Sequence, residues 1–190
     1  MSLAKAHVHL DSNRLRLRPL QLEDAVAMHA IYADEQTMAY WSSLPSLTLA
    51  DSRASVQADM DWVKAGQAMV WAVEDRAQAA VIGKCVLFNY HEQNRRAEIG
   101  YVLNRAYWGR GLMSEACCAL LELCFTGLDL HRVEADADEH NAGSIALLEK
   151  LGFRREGFFP ERWYVGGKWQ NSVMFGLLKQ HWTHPGPRLP

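Results

Sequence analysis

The chain has 190 residues, 49% of them hydrophobic and 22% charged, with a formal net charge of -2. That length suits one domain with its own core, the composition excludes disorder, and the near-neutral charge argues against nucleic acid or an acidic membrane as the main partner. No apolar run approaches the roughly 20 residues a membrane span needs and no secretory leader opens the chain, so neither is expected here.

In chain order, Leu15 and Leu17 alternate with Arg14, Arg16 and Arg18, the period of a half-buried strand that Pro19 ends. Residues Glu23 to Ala33 read as a helix with Val26, Ala30 and Ala33 on one face. Thr48 and Asp51 form a capping-box pattern, after which Leu49, Val56, Met60 and Val63 recur at helical spacing up to Gly66. Two strands follow, Met69 to Glu74 and Val81 to Tyr90, around a polar turn at Asp75 to Gln78. Ala97 to Leu103 alternates in two sets, Glu98, Gly100, Val102 against Ile99, Tyr101, Leu103. A short loop leads to Gly109-Arg110-Gly111 and a helix whose Met113, Cys117, Leu120, Leu121 and Cys124 form one stripe, ending by Gly127. Arg132 to Ala137 reads as a strand and Asn141 to Leu151 as a helix stopped by Gly152. Extended structure resumes at Phe153, with a last strand from Ser172 to Leu178. The order predicts a mixed α/β domain over residues 12–180, preceded by an extension (1–11) and followed by a mobile Pro-rich tail (181–190).

The four cysteines, Cys85, Cys117, Cys118 and Cys124, lack the spacing of a zinc or redox motif. Three sit in one predicted helix, where they act as small apolar residues, and a reducing, cytoplasmic setting is the expectation. No His, Asp and Glu cluster has metal spacing, so no metal is expected.

The segment Leu103 to Ala116 is the most informative. Two glycines around one residue, between a strand and a helix, let backbone N–H groups converge on an anion such as a pyrophosphate, and the helix N-terminus adds to the field. A tight turn without a ligand fits the same residues. A Walker loop would require Gly-Lys-Ser or Gly-Lys-Thr, which is absent. A Rossmann turn places its first glycine at the strand end, whereas Asn104 to Trp108 intervene here, and Ser114 holds the third glycine position.

Three ordered stretches, Ala97 to Leu103, Tyr107 to Ala116 and Asn141 to Phe153, together resemble the GNAT superfamily of N-acetyltransferases, most of all its ribosomal-protein alanine acetyltransferase branch. Leu15 to Leu20 and Arg155-Glu156-Gly157 are similar to that branch as well, so the resemblance spans about residues 12 to 180. It implies a strongly twisted mixed sheet with flanking helices, splayed between its fourth and fifth strands to admit acetyl-CoA. It implies that the amides of Trp108, Gly109, Arg110, Gly111, Leu112 and Met113 cradle the pyrophosphate. The backbone of Tyr101 and Leu103 would pair with the pantetheine arm, and Asn141 would bond that arm near the thioester. Where the family often has Gln or Arg, three residues before the first glycine, stands Ala106.

Acetyl transfer requires a neutral amine and a protonated departing thiolate. Glu98, on the strand beside the implied cleft, is the candidate general base, with an exposed solvent-facing carboxylate as its alternative reading and Glu161 as the alternative base. Many GNAT enzymes protonate the thiolate with a Tyr seven residues after the Asn, where this chain has Leu148. The ribosomal branch lacks that Tyr too, so Ser144 inherits the acid role through the resemblance. His140 reads as part of a polar turn, His29 and His131 as structural, and Trp41 and Trp163 fall where the family builds its acceptor cleft. The acceptor implied is a protein N-terminus; a small amine or a non-catalytic acyl-CoA-binding role are the competing readings. The sequence leaves the oligomeric state open.

Overall fold

In the computed structural model, which describes residues 8–183, the alternation of Arg and Leu becomes a strand with Leu15 and Leu17 fully buried. This is β2 (Leu15–Pro19), flanked by the two-residue β1 (Leu10–Asp11). Three helices follow, α1 (Ala25–Tyr32), the one-turn α2 (Glu35–Met38) and α3 (Leu49–Lys64). Thr48 and Asp51 make the predicted capping box at the start of α3, each side chain holding the other's backbone N–H. The antiparallel run β3 (Ala68–Asp75), β4 (Ala80–His91) and β5 (Arg96–Leu103) leads to α4 (Leu112–Glu122), which closes in a π-turn over Leu123–Gly127. The chain continues through β6 (Arg132–Asp138), α5 (Ala142–Lys150), β7 (Arg154–Val165) and β8 (Lys168–Leu178).

The strands form one sheet in the order β1-β2-β3-β4-β5-β6-β8-β7, antiparallel throughout except for β5 beside β6. Its two faces carry separate cores. On one, Leu15, Leu17, Trp71, Leu87 and Ile99 meet the α4 stripe of Cys117, Leu120 and Leu121, Cys124 of the π-turn and Leu148 of α5. On the other, Val70, Ala72, Val86 and Val102 meet Met28 and Ile31 of α1 and Val56 of α3. Period-2 alternation along β3 and β5 thus feeds both layers. The cysteines are free thiols serving as packing atoms, three of them buried.

One helical face differs from the prediction. Val26 is 68% exposed and Ala30 and Ala33 face solvent, while Ala25, Met28, Ile31 and Tyr32 are buried. Both stripes have helical spacing, but the second removes far more apolar surface from water, and that burial sets the rotation of the helix. Leu10–Asp11 pairs with Leu17 and Arg16, and Trp182 packs its ring 5.3 Å from Phe125. The rest of the predicted tail, residues 184–190, lies outside the described residues. Among the described residues no helix is long and apolar enough to cross a membrane.

The feature that positions the site is a gap. β5 pairs with β6 only through Arg96, Ala97 and Glu98, and the strands then diverge. Counted from β2 these are the fourth and fifth strands, as predicted; the short β1 makes them fifth and sixth.

Candidate active site

Beyond Glu98, the residues Ile99 to Leu103 have no strand partner on the β6 side among the described residues. The direction of their backbone groups follows from the register with β4. Asn104 N–H donates to the Ile82 carbonyl at 2.8 Å, and Leu103 lies opposite Gly83 and Val102 opposite Lys84. In an antiparallel ladder hydrogen-bonded and non-bonded pairs alternate, so Val102 turns its N–H and C=O to β4, and Tyr101 and Leu103 turn theirs into the gap. One of these groups is occupied, because the Trp108 indole N–H donates to the Leu103 carbonyl at 2.8 Å.

At the end of the gap lies the glycine loop. Gly109 and Gly111 both have φ of 72°, the left-handed region that other residues enter at a cost. From Gly109 to Ser114 no backbone N–H finds an acceptor among the described residues, and the first helical bond is from Glu115 N–H to the Gly111 carbonyl. The Trp108 N–H, expected in the same cradle, is instead spent on the Arg105 carbonyl at 3.1 Å, closing the short turn before the loop. The chain start holds this loop in place. Arg14 donates to the Arg110 carbonyl at 3.0 Å and pairs with Glu115 at 2.6 Å. The Arg110 guanidinium lies over the Tyr107 ring, 5.3 Å from its centroid, and stays off the cavity wall. A row of unbonded amides at a helix start, beside an unpaired strand edge, fits an anion joined to an amide-bearing arm.

A cavity of about 1230 Å³ runs from Trp108, Gly109, Gly111, Leu112 and Met113 along Tyr101 and Leu103 to Glu98, Asn141 and Ser144. The sequence-predicted residues are therefore together on one surface, apart from the Arg110 side chain. Glu98 is buried at 8% exposure, so the reading of a solvent-facing strand residue does not hold. Burial raises its carboxyl pKa above the ordinary range, against the Asn89 amide, which donates to Oε2 at 2.9 Å; Asp136 raises it further. Glu161 is exposed and off the cavity wall, so the alternative base is in the wrong place.

Across the cavity the helix start places two more groups. Asn141 caps α5 through Oδ1, which accepts from Ser144 N–H at 3.0 Å, leaving its Nδ2 as the donor for a ligand. The Ser144 hydroxyl is 2.9 Å from the Tyr101 hydroxyl. Burial pushes the Tyr101 pKa well up, so the phenol keeps its proton.

Sequence reading missed several wall residues. Lys84 and Asp59 form a buried ion pair at 2.6 Å, with the ammonium over the rings of Tyr32 and Trp41. Asp136 on β6 pairs with Arg162 at 2.9 Å. Asp136 alternates with the buried Ala135 and Ala137 and was findable by period. Arg162 was not, because it sits in a bulge where Phe159 pairs with Ser172 and Trp163 already with Gln170. Trp41 and Trp163 line the cavity as anticipated, His140 stands on a turn bonded to Asp138, and His29 joins α1 to α3 through Ser52.

The family model described as acetyltransferase (GNAT) domain matches residues 14–154. The chain belongs to the GNAT acetyltransferases. This N-acetyltransferase is 35% identical over 174 residues to the uncharacterized N-acetyltransferase p20 of Bacillus licheniformis, covering 92% of this chain and 98% of that one. The [ribosomal protein uS5]-alanine N-acetyltransferase of Escherichia coli is 31% identical over 124 residues, 65% of this chain and 63% of that one. Spermidine N(1)-acetyltransferase of Escherichia coli is 25% identical over 177 residues, 90% of this chain and 89% of the other. A GNAT acetyltransferase of Bacillus anthracis superposes with a TM-score of 0.80 at 28% identity, covering 91% of this chain and 99% of that one. The GNAT fold implies acetyl-CoA as the acetyl donor, and the loop amides and open β5 edge of this N-acetyltransferase fit it.

Proposed function

We propose that this N-acetyltransferase acetylates the α-amine of a protein N-terminus, in the manner of its ribosomal-protein relatives. The observation that carries the reading is the pairing of charge around Glu98. Of the four carboxylates on the cavity wall, Asp59 is matched by Lys84, Asp136 by Arg162, and Asp138 is tied into the turn by the His140 N–H at 2.8 Å, whereas Glu98 on the strand beside the gap is held by a neutral amide. A polyamine would bring several positive charges to a wall where two of the four acids already hold a cation. A single amine needs one base, and Glu98 is that group. Its raised pKa narrows the difference from an α-ammonium, whose reference pKa is about 7.7–8.0, against about 10.4 for a lysine.

The remaining roles follow from position. The N–H groups of Gly109 to Met113 hold the pyrophosphate of acetyl-CoA, with the loop backbone starting at Trp108. The free backbone groups of Tyr101 and Leu103, with Asn141 Nδ2, hold its arm. The bound donor supplies an acetyl group activated as a thioester. Glu98 takes the proton from the acceptor ammonium, directly or through water. Ser144 Oγ, aligned by the Tyr101 hydroxyl, is the proton donor on the α5 side of the cleft.

The test compares kcat/KM for peptides with a free Ser or Ala N-terminus, the same peptides blocked but carrying Lys, and spermidine. The free N-termini should be turned over fastest. Faster turnover of blocked lysine peptides or spermidine would overturn the reading.

A further inference from the structure

The bulge in β7 is built at some cost, and what it delivers is one side chain. Across from Asn171 the strand accommodates Pro160, Glu161 and Arg162 between the register pairs Phe159–Ser172 and Trp163–Gln170. Glu161 takes φ of 52°, uncommon for a residue with a side chain. Its N–H is caught by the Asn171 Oδ1 at 2.8 Å, and the Asn171 amide is anchored in turn by Glu139. A bend held from two sides is a feature that re-aims a residue, and bulges are enriched beside active sites for this reason.

The residue re-aimed is Arg162. Its guanidinium carbon stands 5.1 Å from the Phe159 ring centroid and 5.6 Å from that of Trp163, which restrict its plane. Its Nε is engaged with Asp136 at 2.9 Å. Among the described residues its polar contact is this one through Nε, the two terminal nitrogens make no hydrogen bond, and the side chain lies on the cavity wall that also carries Glu98. A planar fork with its outer N–H groups open, beside the base that receives the amine, is a receptor for an oxygen near that amine.

We infer that Arg162 reads the carbonyl oxygen of the acceptor's first residue, so the enzyme selects amines whose neighbouring carbon bears a neutral carbonyl. The inference rests on the α-amine reading above and makes it more specific. Charge decides between the two oxygen ligands that carry an α-amine. Asp136 already neutralises the guanidinium, so a carboxylate from a free amino acid would meet a neutral pair and repel Asp136. The carbonyl of a peptide or amide needs only the donors.

The experiment uses the whole protein with acetyl-CoA and four acceptors: an Ala-initiated peptide, alaninamide, free alanine and isopropylamine. Comparing variants on the same amines cancels their differing intrinsic basicity. Wild-type enzyme should prefer alaninamide to alanine. Arg162→Gln should shrink the alaninamide-to-isopropylamine ratio of kcat/KM by about 10- to 100-fold, the value of a charge-assisted hydrogen bond, mostly through KM. Arg162→Lys should recover part of that ratio, and it keeps the test alive if the Gln variant folds poorly. An unchanged ratio with both rates lowered equally would overturn the inference, leaving Arg162 as a support for Asp136, while the α-amine reading stands. Failure of every α-amine alongside turnover of spermidine would remove both.

Discussion

A carboxylate that is buried to serve as a base carries a stability penalty whose sign can be worked out. Glu98 has its pKa raised in the folded chain, chiefly by desolvation. Between its ordinary value of about 4.3 and the raised one, the folded state binds more protons than the unfolded state. Stability therefore falls as pH rises through that window and is at its lowest above it. Glu98→Gln keeps the shape and can still accept from Asn89, but never charges. The variant should lose ~10²-fold in kcat/KM, as removal of a general base does. It should also melt higher than wild type at pH 7, with the advantage shrinking as pH drops below the window. Paired thermal melts and kinetics from pH 4 to 8 check both parts. A lower melting temperature at neutral pH would mean that the charged form is stabilised in the fold.

At the scale of elements, the glycine loop can be probed with an internal control. Gly109 and Gly66 have nearly the same backbone, φ of 72° and 70°, and an added Cβ meets nothing within 4 Å at either. Gly109→Ala and Gly66→Ala should thus cost similar stability, about 1 kcal/mol for the left-handed conformation. Only Gly109 lines the cavity, so only Gly109→Ala should weaken acetyl-CoA binding, by tenfold or more in calorimetry; equal affinities for the two variants would remove the loop from the site. The same elements show what sequence could convey. The capping box at Thr48, the stripe of α4 and the two sets in β5 were legible because local spacing dictates each of them. The buried face of α1 was not, since Val26 and Ala30 share its period with Met28 and Ile31, and only the neighbouring sheet chooses between them. For the site, Glu98, Asn141, Ser144 and the glycines lie in motifs and were legible as a set. Arg162 depends on a bulge made by long-range anchoring through Asn171 and Glu139, which no local pattern encodes. Tyr101 was noted for its backbone, but its hydroxyl contact with Ser144 spans 43 residues of sequence.

For the molecule as a whole, two cores on opposite sides of one sheet are not equally dry. Both border the cavity, but the core under α4 is apolar, while the one under α1 and α3 packs beside the Lys84–Asp59 pair, 8% and 16% exposed at the side chains. Removing one partner of such a pair strands the other, so Asp59→Ala should lower stability by about 3 kcal/mol, read as a shifted urea midpoint at unchanged slope. The double variant Asp59→Leu with Lys84→Met should regain most of it. A midpoint unmoved in Asp59→Ala would show that Lys84 is solvated from the cavity.

The gap between β5 and β6 has a mechanical consequence. Within the sheet only three register pairs join β1–β5 to β6–β8, so the ladder is two plates held at one end, with the core under α4 packed across the seam. The inner margin of the first plate, Ile99 to Leu103, presents outward backbone groups that no strand complements among the described residues, the Leu103 carbonyl being taken by the Trp108 indole. A ligand that supplies that complement acts as a splint, and the stiffness of the whole enzyme then becomes a property of what it carries.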